Sequence, residues 1–276
     1  MSEVEKERVL AEIIDRFSLP AIAFSGGRDS GFLAWFVKNG LDKDAVILCA
    51  DHVLMPVAEK EYRRNICRLY GWSCDEVFVD VLGAPEIAGN SSDRCYICKK
   101  TLMSALLEKA QARGCDVLFD GTTADDRLQY RPGMKALREL GVYSPLAEAE
   151  WTKQDVQEVA RRYGLPFAEK PSESCLATRF PYNHNLTPAL LRAVDSFEQK
   201  IKSIVHSPIR ARIHPSDRLI RIEIEMEYIG TLLVPEIREE LLKTARNLGF
   251  RWVTIDIAGF RSGSWDMVDG SVEEES

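Results

Sequence analysis

Ala21-Ile22-Ala23-Phe24-Ser25-Gly26-Gly27-Arg28-Asp29-Ser30 is an apolar run that passes straight into a glycine pair and then into residues able to open a helix. A short apolar run bounded by a turn signal reads as a buried strand. Gly26 and Gly27 can take backbone angles that side chains resist. Their amides are then able to point at phosphate oxygens, helped by the dipole of the following helix. Ser25 and Ser30 add hydroxyl donors. Asp29 repels phosphate and makes sense as a magnesium ligand or as an orienter of the loop. A tight strand–helix turn can also exist with no ligand, so the loop is weighed with the rest of the chain.

Outward from this loop, strands and helices alternate. Residues 2–17 carry Val9, Leu10, Ile13, Ile14 and Phe17 at helical spacing. A helix is expected over 30–38, a second strand over 45–50, and a helix after Pro56, which suits the first helical position. A third strand is read at 77–81, a helix over 98–113 ending near Gly114, and a fourth strand at 116–120. Thr152 is expected to cap a helix from Lys153, with Asp155 three positions on. This alternation predicts an α/β fold with a parallel, doubly wound sheet. Ligands in such sheets bind beyond the carboxyl ends of the strands, where the glycine loop sits.

The pattern changes after about residue 180. Thr187-Pro188 starts a long helix, strands are expected at 209–214 and 219–225 around a Ser216-Asp217 turn, a helix follows Pro235, and a last strand covers 252–257. This predicts a small C-terminal α+β domain. The division expected is 1–183 and 184–276, the second part binding substrate or mediating oligomerisation. The acidic end, Ser271 to Ser276, reads as frayed.

Composition narrows the function. The chain has 276 residues and a net charge of −7. That balance argues against a protein that grips RNA or DNA through phosphates. No apolar run approaches a membrane span, and the charged N-terminus is not a signal peptide, so a cytoplasmic protein with no membrane partner is expected. Seven cysteines without an export signal make disulfides unexpected and leave free thiols, a metal site or redox chemistry open. Cys95-Tyr96-Ile97-Cys98 reads as a loop before a helix, and by itself fits zinc, a redox pair or chance. With Cys175 it makes three cysteines, which suit a four-iron cluster with one iron left open. Arg179 and Lys170 near Cys175 are cations that would favour a thiolate. Cys49, Cys67, Cys74 and Cys115 read as buried small hydrophobes.

The string Ser25 to Ser30 resembles the Ser-Gly-Gly-x-Asp-Ser signature of the PP-loop ATP pyrophosphatases, which split ATP into AMP and pyrophosphate to activate a carbonyl. Several further strings resemble one family of them, the LarE-type sulfur transferases of nickel-pincer cofactor synthesis. They are Arg94-Cys95-Tyr96-Ile97-Cys98-Lys99, the run from Asp120 to Asp126, Tyr130-Arg131-Pro132-Gly133, Ser144-Pro145-Leu146, Lys170-Pro171-Ser172 and the run from Cys175 to Tyr182. Arg210 to His214 and Arg221-Ile222-Glu223 also fit. Asn183-His184 departs from the pattern, since family members more often carry glycine there.

The resemblance implies an activity. ATP adenylates a carboxylate of pyridinium-3,5-biscarboxylic acid mononucleotide, and sulfur then displaces AMP to leave a thiocarboxylate. It implies ATP at Ser25, Gly26, Gly27, Asp29, Ser30, Asp120, Gly121, Thr122 and Asp125, with Mg2+. It also implies a homo-oligomer, and either a sacrificial Cys175 or a [4Fe-4S] cluster on Cys95, Cys98 and Cys175 fed by sulfide or another sulfur donor. The loop after the fourth strand can face the phosphate loop, and its carboxylates suit magnesium. Arg179, Arg210 and Arg212 are candidates for the substrate phosphate, because a guanidinium fork matches phosphate oxygens. Glu198 and Glu223 are their candidate partners. A tRNA thiolase, an ammonia-using synthetase and a non-catalytic nucleotide-binding regulator are the alternatives.

Overall fold

The computed structural model describes residues 2–128, 132–171 and 173–261. Tyr130 and Arg131, Ser172 and the acidic end at 271–276 lie outside the described residues. The chain divides into two compact units, one made of residues 1–87 and 93–173, the other of 88–92 and 174–276.

The first unit is built on four parallel strands: β1 (Pro20–Ala23), β2 (Val46–Asp51), β3 (Cys74–Phe78) and β4 (Val117–Phe119), in the order β3-β2-β1-β4. The glycine-loop strand is therefore central, with Ala21 paired to Val46 on one side and to Leu118 on the other. Every β1 residue is buried, which is why its sequence is apolar without alternation. The flanking helices are α1 (Glu3–Ile14), α2 (Arg28–Trp35), α3 (Val57–Leu69), α4 (Arg94–Ala112) and α5 (Lys153–Arg162). Ile22, Phe24, Phe32, Phe119, Trp151 and Phe167 belong to one core layer, while Ala21, Ala23, Leu48, Met103 and Leu118 belong to the other. The α/β class and the parallel sheet are as the sequence predicts. Thr152 caps α5 in a full capping box: its Oγ1 accepts from Asp155 N at 3.1 Å, and its own N donates to Asp155 Oδ2 at 2.7 Å.

Three expectations are corrected. The third strand lies at Cys74–Phe78, not 77–81, because β2 offers a ladder from Ile47 to Asp51 and β3 pairs along all of it. As an edge strand β3 tolerates Asp75 and Glu76, which weaken its sequence signal. Cys95 and Cys98 sit within the first five residues of α4, not in a loop before it. Asp93 precedes α4 in helical conformation and makes no side-chain cap bond, so the earlier start carries little capping signal. Finally, Cys67 and Cys74 form a disulfide, against the expectation of inert small hydrophobes. Cys115 is only half-buried.

The second unit holds a three-stranded sheet of β5 (Ile209–His214), β6 (Leu219–Ile224) and β7 (Trp252–Ile255), in that order. β5 and β6 are antiparallel, β6 and β7 parallel. Helices α6 (Pro188–Lys202) and α7 (Pro235–Asn247) accompany it. Both begin at proline, and the Thr187 hydroxyl accepts from Leu190 N to cap α6. Phe197, Ile201, Ile209, Ala211, Ile222 and Ile224 are fully or nearly fully buried and anchor its core. Among the described residues no helix is long and apolar enough to cross a membrane.

Candidate active site

The phosphate loop begins where β1 ends. Phe24 N donates to Leu48 O at 2.8 Å, so the ladder runs to the edge of the loop. Gly26 then turns at φ +88, and a Cβ there would also meet the Arg63 side chain at 3.2 Å. The positive φ favours glycine, and the close Arg63 side chain adds to the cost of any other residue. The serine hydroxyls staple the loop: Ser25 Oγ and Ser30 Oγ are 2.9 Å apart, Gly27 N donates to Ser25 Oγ at 3.3 Å, and Ser30 Oγ donates to Gly27 O at 3.2 Å. Asp29 lies in the first turn of α2, 3.5 Å from Arg28 Nε.

The loop after β4 comes directly against this one. A Cβ on Gly121 would lie 2.6 Å from Ser30 N and 2.8 Å from Ser30 Cα, so no other residue fits without displacing the start of α2. Asp120 is 3% exposed and accepts from the hydroxyls of Thr122 and Ser144, both at 2.6 Å, with Lys99 Nζ 3.7 Å away. Asp125 accepts from Lys153 N at 2.6 Å, at the start of α5. Asp126 accepts from Thr123 N and Thr123 Oγ1 at 3.1 and 3.0 Å and lies 2.9 Å from Lys153 Nζ. Burial pushes the Asp29 carboxyl up, and Asp126 adds to this against the opposing pull of Arg28 and Lys153. Burial acts on Asp126 in the same sense, but Lys153 and Thr123 outweigh it and hold that carboxyl below its usual value. Asp29, Asp126 and Lys153 thus form one electrostatic group at the loop. Its carboxylate oxygens are the donor type that magnesium takes.

Lys99, Ser144, Asp126 and Lys153 were not singled out individually. The first three lie inside strings the resemblance had marked, while Lys153 had only its helix-start position as a signal.

The cysteines of interest are divided between the units. Cys95 is exposed and Cys98 half-buried. They stand three apart near the start of α4, a spacing that puts both on one helix face and fits two ligands of a thiolate-bound cluster. Cys175, exposed, belongs to the second unit and leads into a short 3-10 turn at Leu176–Arg179. The two cations expected to favour its thiolate are each matched by a carboxylate. Lys170 pairs with Glu59 and lies 4.7 Å over the Tyr62 ring, and Arg179 pairs with Glu198.

Arg179 is 0% exposed. Its Nε and Nη2 donate to the two Glu198 oxygens at 2.8 Å each, and Nη1 donates to Ser174 Oγ at 2.6 Å and to the carbonyls of Ser174 and Cys175. It ties the Cys175 turn to α6. Glu198 also accepts from Ala211 N, which fixes the turn to β5. Arg210 Nε donates to Ser174 Oγ at 3.0 Å. Arg212 Nε donates to Glu223 Oε2 at 3.0 Å and its Nη1 to Thr178 O at 2.5 Å, while Arg221 Nη2 donates to Glu223 Oε1 at 3.0 Å. Burial draws the Arg212 guanidinium down and Glu223 counters it. All three arginines therefore gather around the backbone that carries Cys175. Asn183, where family members more often carry glycine, adopts φ +59. Asparagine is among the side chains that tolerate the left-handed region, so the turn keeps a glycine-like shape.

No family model matches the chain. It is 33% identical over 267 residues to an uncharacterized protein of Synechocystis sp., covering 97% of this chain and 98% of that one. It is 31% identical over 259 residues to the pyridinium-3,5-bisthiocarboxylic acid mononucleotide synthase of Lactiplantibacillus plantarum, covering 94% and 92%. An argininosuccinate synthase of Pyrococcus furiosus is 23% identical over 162 residues, 54% of this chain and 40% of that protein. The glycine loop, the parallel sheet that presents it and these near full-length similarities place the chain in the LarE family, that of the pyridinium-3,5-bisthiocarboxylic acid mononucleotide synthases, within the PP-loop superfamily of ATP-using enzymes.

Proposed function

We propose that the chain is an ATP-dependent sulfurtransferase that forms AMP and pyrophosphate. It converts a carboxylate of pyridinium-3,5-biscarboxylic acid mononucleotide to a thiocarboxylate in nickel-pincer cofactor biosynthesis. The observation that carries this reading is the similarity, over 94% of the chain, to a synthase named for that thiocarboxylate product.

In this reading the amides of Gly26 and Gly27 and the start of α2 bind ATP phosphates. Asp29 and Asp126 hold Mg2+, which offsets charge on the leaving pyrophosphate. Asp120, Gly121, Thr122 and Asp125 keep the opposing loop in place. A carboxylate oxygen of the substrate attacks the α-phosphorus, the bond to the bridging oxygen breaks, and pyrophosphate leaves. Sulfide then attacks the acyl carbon, and AMP leaves with the electron pair of the broken C–O bond. Arg210 and Arg212 bind the mononucleotide phosphate, with Glu223 orienting Arg212. Arg179 holds the Cys175 turn through Glu198. A [4Fe-4S] cluster on Cys95, Cys98 and Cys175 would supply sulfide from its open iron. The enzyme works in the cytoplasm as a homo-oligomer and draws on sulfide or another sulfur donor.

The test is anaerobic turnover of the purified chain with ATP, Mg2+, the mononucleotide and sulfide. Pyrophosphate should appear only when the mononucleotide is present. The product's mass should show one oxygen replaced by sulfur. Pyrophosphate release indifferent to the mononucleotide overturns the substrate assignment.

A further inference from the structure

Three cysteines that the reaction does not use converge on one place in the first unit. Cys49 comes from the middle of β2, Cys67 from the last turn of α3 and Cys74 from the first position of β3. Their sulfur atoms all lie within 4.8 Å of one another. Cys67 and Cys74 are joined as a disulfide, and Cys49 stands beside them as a buried thiol. Cys74 is only half-buried, so the group has one side toward solvent. Two of the three meet as the disulfide, and the Cys49 thiol adds a third soft donor at the same place.

Arg63 supplies an independent observation. It is 1% exposed, and Nη1 donates to Ala50 O at 2.7 Å. Among the described residues its Nε and Nη2 have no hydrogen-bond acceptor. Glu76 Oε1 lies 3.6 Å from Nη2, but both Glu76 oxygens accept from Arg64 at 2.7 and 2.8 Å. A guanidinium stays charged even when buried. Burial pushes the Cys49 thiol up to about 11, and Arg63 is the largest of the charges that act on it, in the opposite sense. A buried cation that keeps two unused N–H donors and acts on Cys49 can offset part of the charge of a thiolate complex, the rest of its field being taken by the Glu76 ion pair.

We propose that in the reduced protein Cys49, Cys67 and Cys74 bind a thiophilic d10 metal ion, Zn2+ or Cu+, with the Arg63 guanidinium as countercharge. A dithiol reductant first converts the disulfide to two thiols and is itself oxidised to a disulfide. The ion then displaces the three thiol protons. With Zn2+ the tris-thiolate carries one net negative charge, which Arg63 offsets in part. Thiolates select these ions over hard cations. No fourth His, Cys, Asp or Glu joins the group among the described residues, so a zinc ion would keep one coordination position open. In the oxidised protein two of the donors are consumed by the disulfide. The inference does not rest on the sulfurtransferase reading, because it uses none of that site's residues.

The test uses the full chain carrying C95S, C98S and C175S, so that only this group and Cys115 remain as thiols. The protein is reduced with dithiothreitol, freed of it anaerobically, and titrated with Cd2+ as a spectroscopic probe. One equivalent should bind with a thiolate-to-metal charge-transfer band. C49S should abolish that step, and the half-exposed C74S should do so even if C49S fails to fold. Arg63→Met should weaken binding by about 10–100-fold, the range seen for outer-shell partners. Parallel titrations with Zn2+ and Cu+ identify the ion, and binding of neither overturns the proposal. Equal binding by the oxidised chain, or an unchanged band in C74S, overturns it as well.

Discussion

Burial pushes the His52 imidazole down to about 4, with Lys60 adding to the effect. Its Nδ1 has no hydrogen-bond partner among the described residues. Above the ordinary value of 6.5 the ring is neutral in both folded and unfolded chains and contributes no pH dependence. Between 6.5 and about 4 the unfolded chain takes a proton that the folded chain refuses, so stability is lost as pH falls through that window. The loss reaches up to about 3 kcal/mol at its acid end. In urea titrations, His52→Gln should lose less stability than the wild type between about pH 7.5 and about pH 4.5, and parallel losses in the two proteins would refute the assignment. At Asp29 the expectation concerns chemistry instead. Asp29→Ala should lower pyrophosphate release by about a hundredfold or more while circular dichroism stays native, because the residue sits at a helix start with its charge opposed by Asp126. Near-normal release from the folded variant would show that Asp29 does not serve the phosphates. The loop was legible because the whole string from Ser25 to Ser30, not the glycine pair alone, resembles a PP-loop signature. Lys153 and Arg63 were not, because a lysine at a helix start and an arginine in an amphipathic helix carry no local sign of what they will face.

At the scale of elements, the proposed recognition of the mononucleotide rests on two strands of the second unit. β5 alternates so that Arg210 and Arg212 share one side, and β6 answers with Glu223 opposite Arg210 in register. Glu223 is fully buried and accepts from both Arg212 and Arg221. If Arg212 binds the mononucleotide phosphate as proposed, Arg212→Ala should weaken that binding by about 2–5 kcal/mol, since it leaves Glu223 short of a partner as well as removing the proposed phosphate donor. ATP affinity should be unchanged. Calorimetry with each ligand separates the two, and a fall in ATP affinity alone would refute the division of labour. Element boundaries were legible where capping chemistry marked them, as at Thr152 and Thr187. They slipped where it was weak. β3 opens on cysteine, aspartate and glutamate at a sheet edge, and α4 opens on arginine, cysteine and tyrosine, so in both cases the true start lay ahead of the strongest apolar signal.

At the scale of the molecule, the sulfur source is open to direct measurement. Cys175 should keep its mass through repeated anaerobic turnover with sulfide, and the protein should carry iron and acid-labile sulfide. Loss of one sulfur at Cys175, leaving dehydroalanine, would instead make that residue the donor. The architecture was legible in the chain because strand–helix alternation has few solutions. The meeting of Cys49, Cys67 and Cys74 was not, because it depends on the strand order β3-β2-β1-β4 rather than on spacing. That order has a consequence for synthesis. β1 emerges early from the ribosome, yet its second neighbour is β4, the loop it supports rests on Gly121, and Phe167 packs against Gly31 within the following helix. A nascent chain shorter than this has its phosphate loop but lacks the walls that shape it. Until Phe167 and the rest of that segment are translated, the apolar side of α2 stays uncovered and is a natural handhold for chaperones.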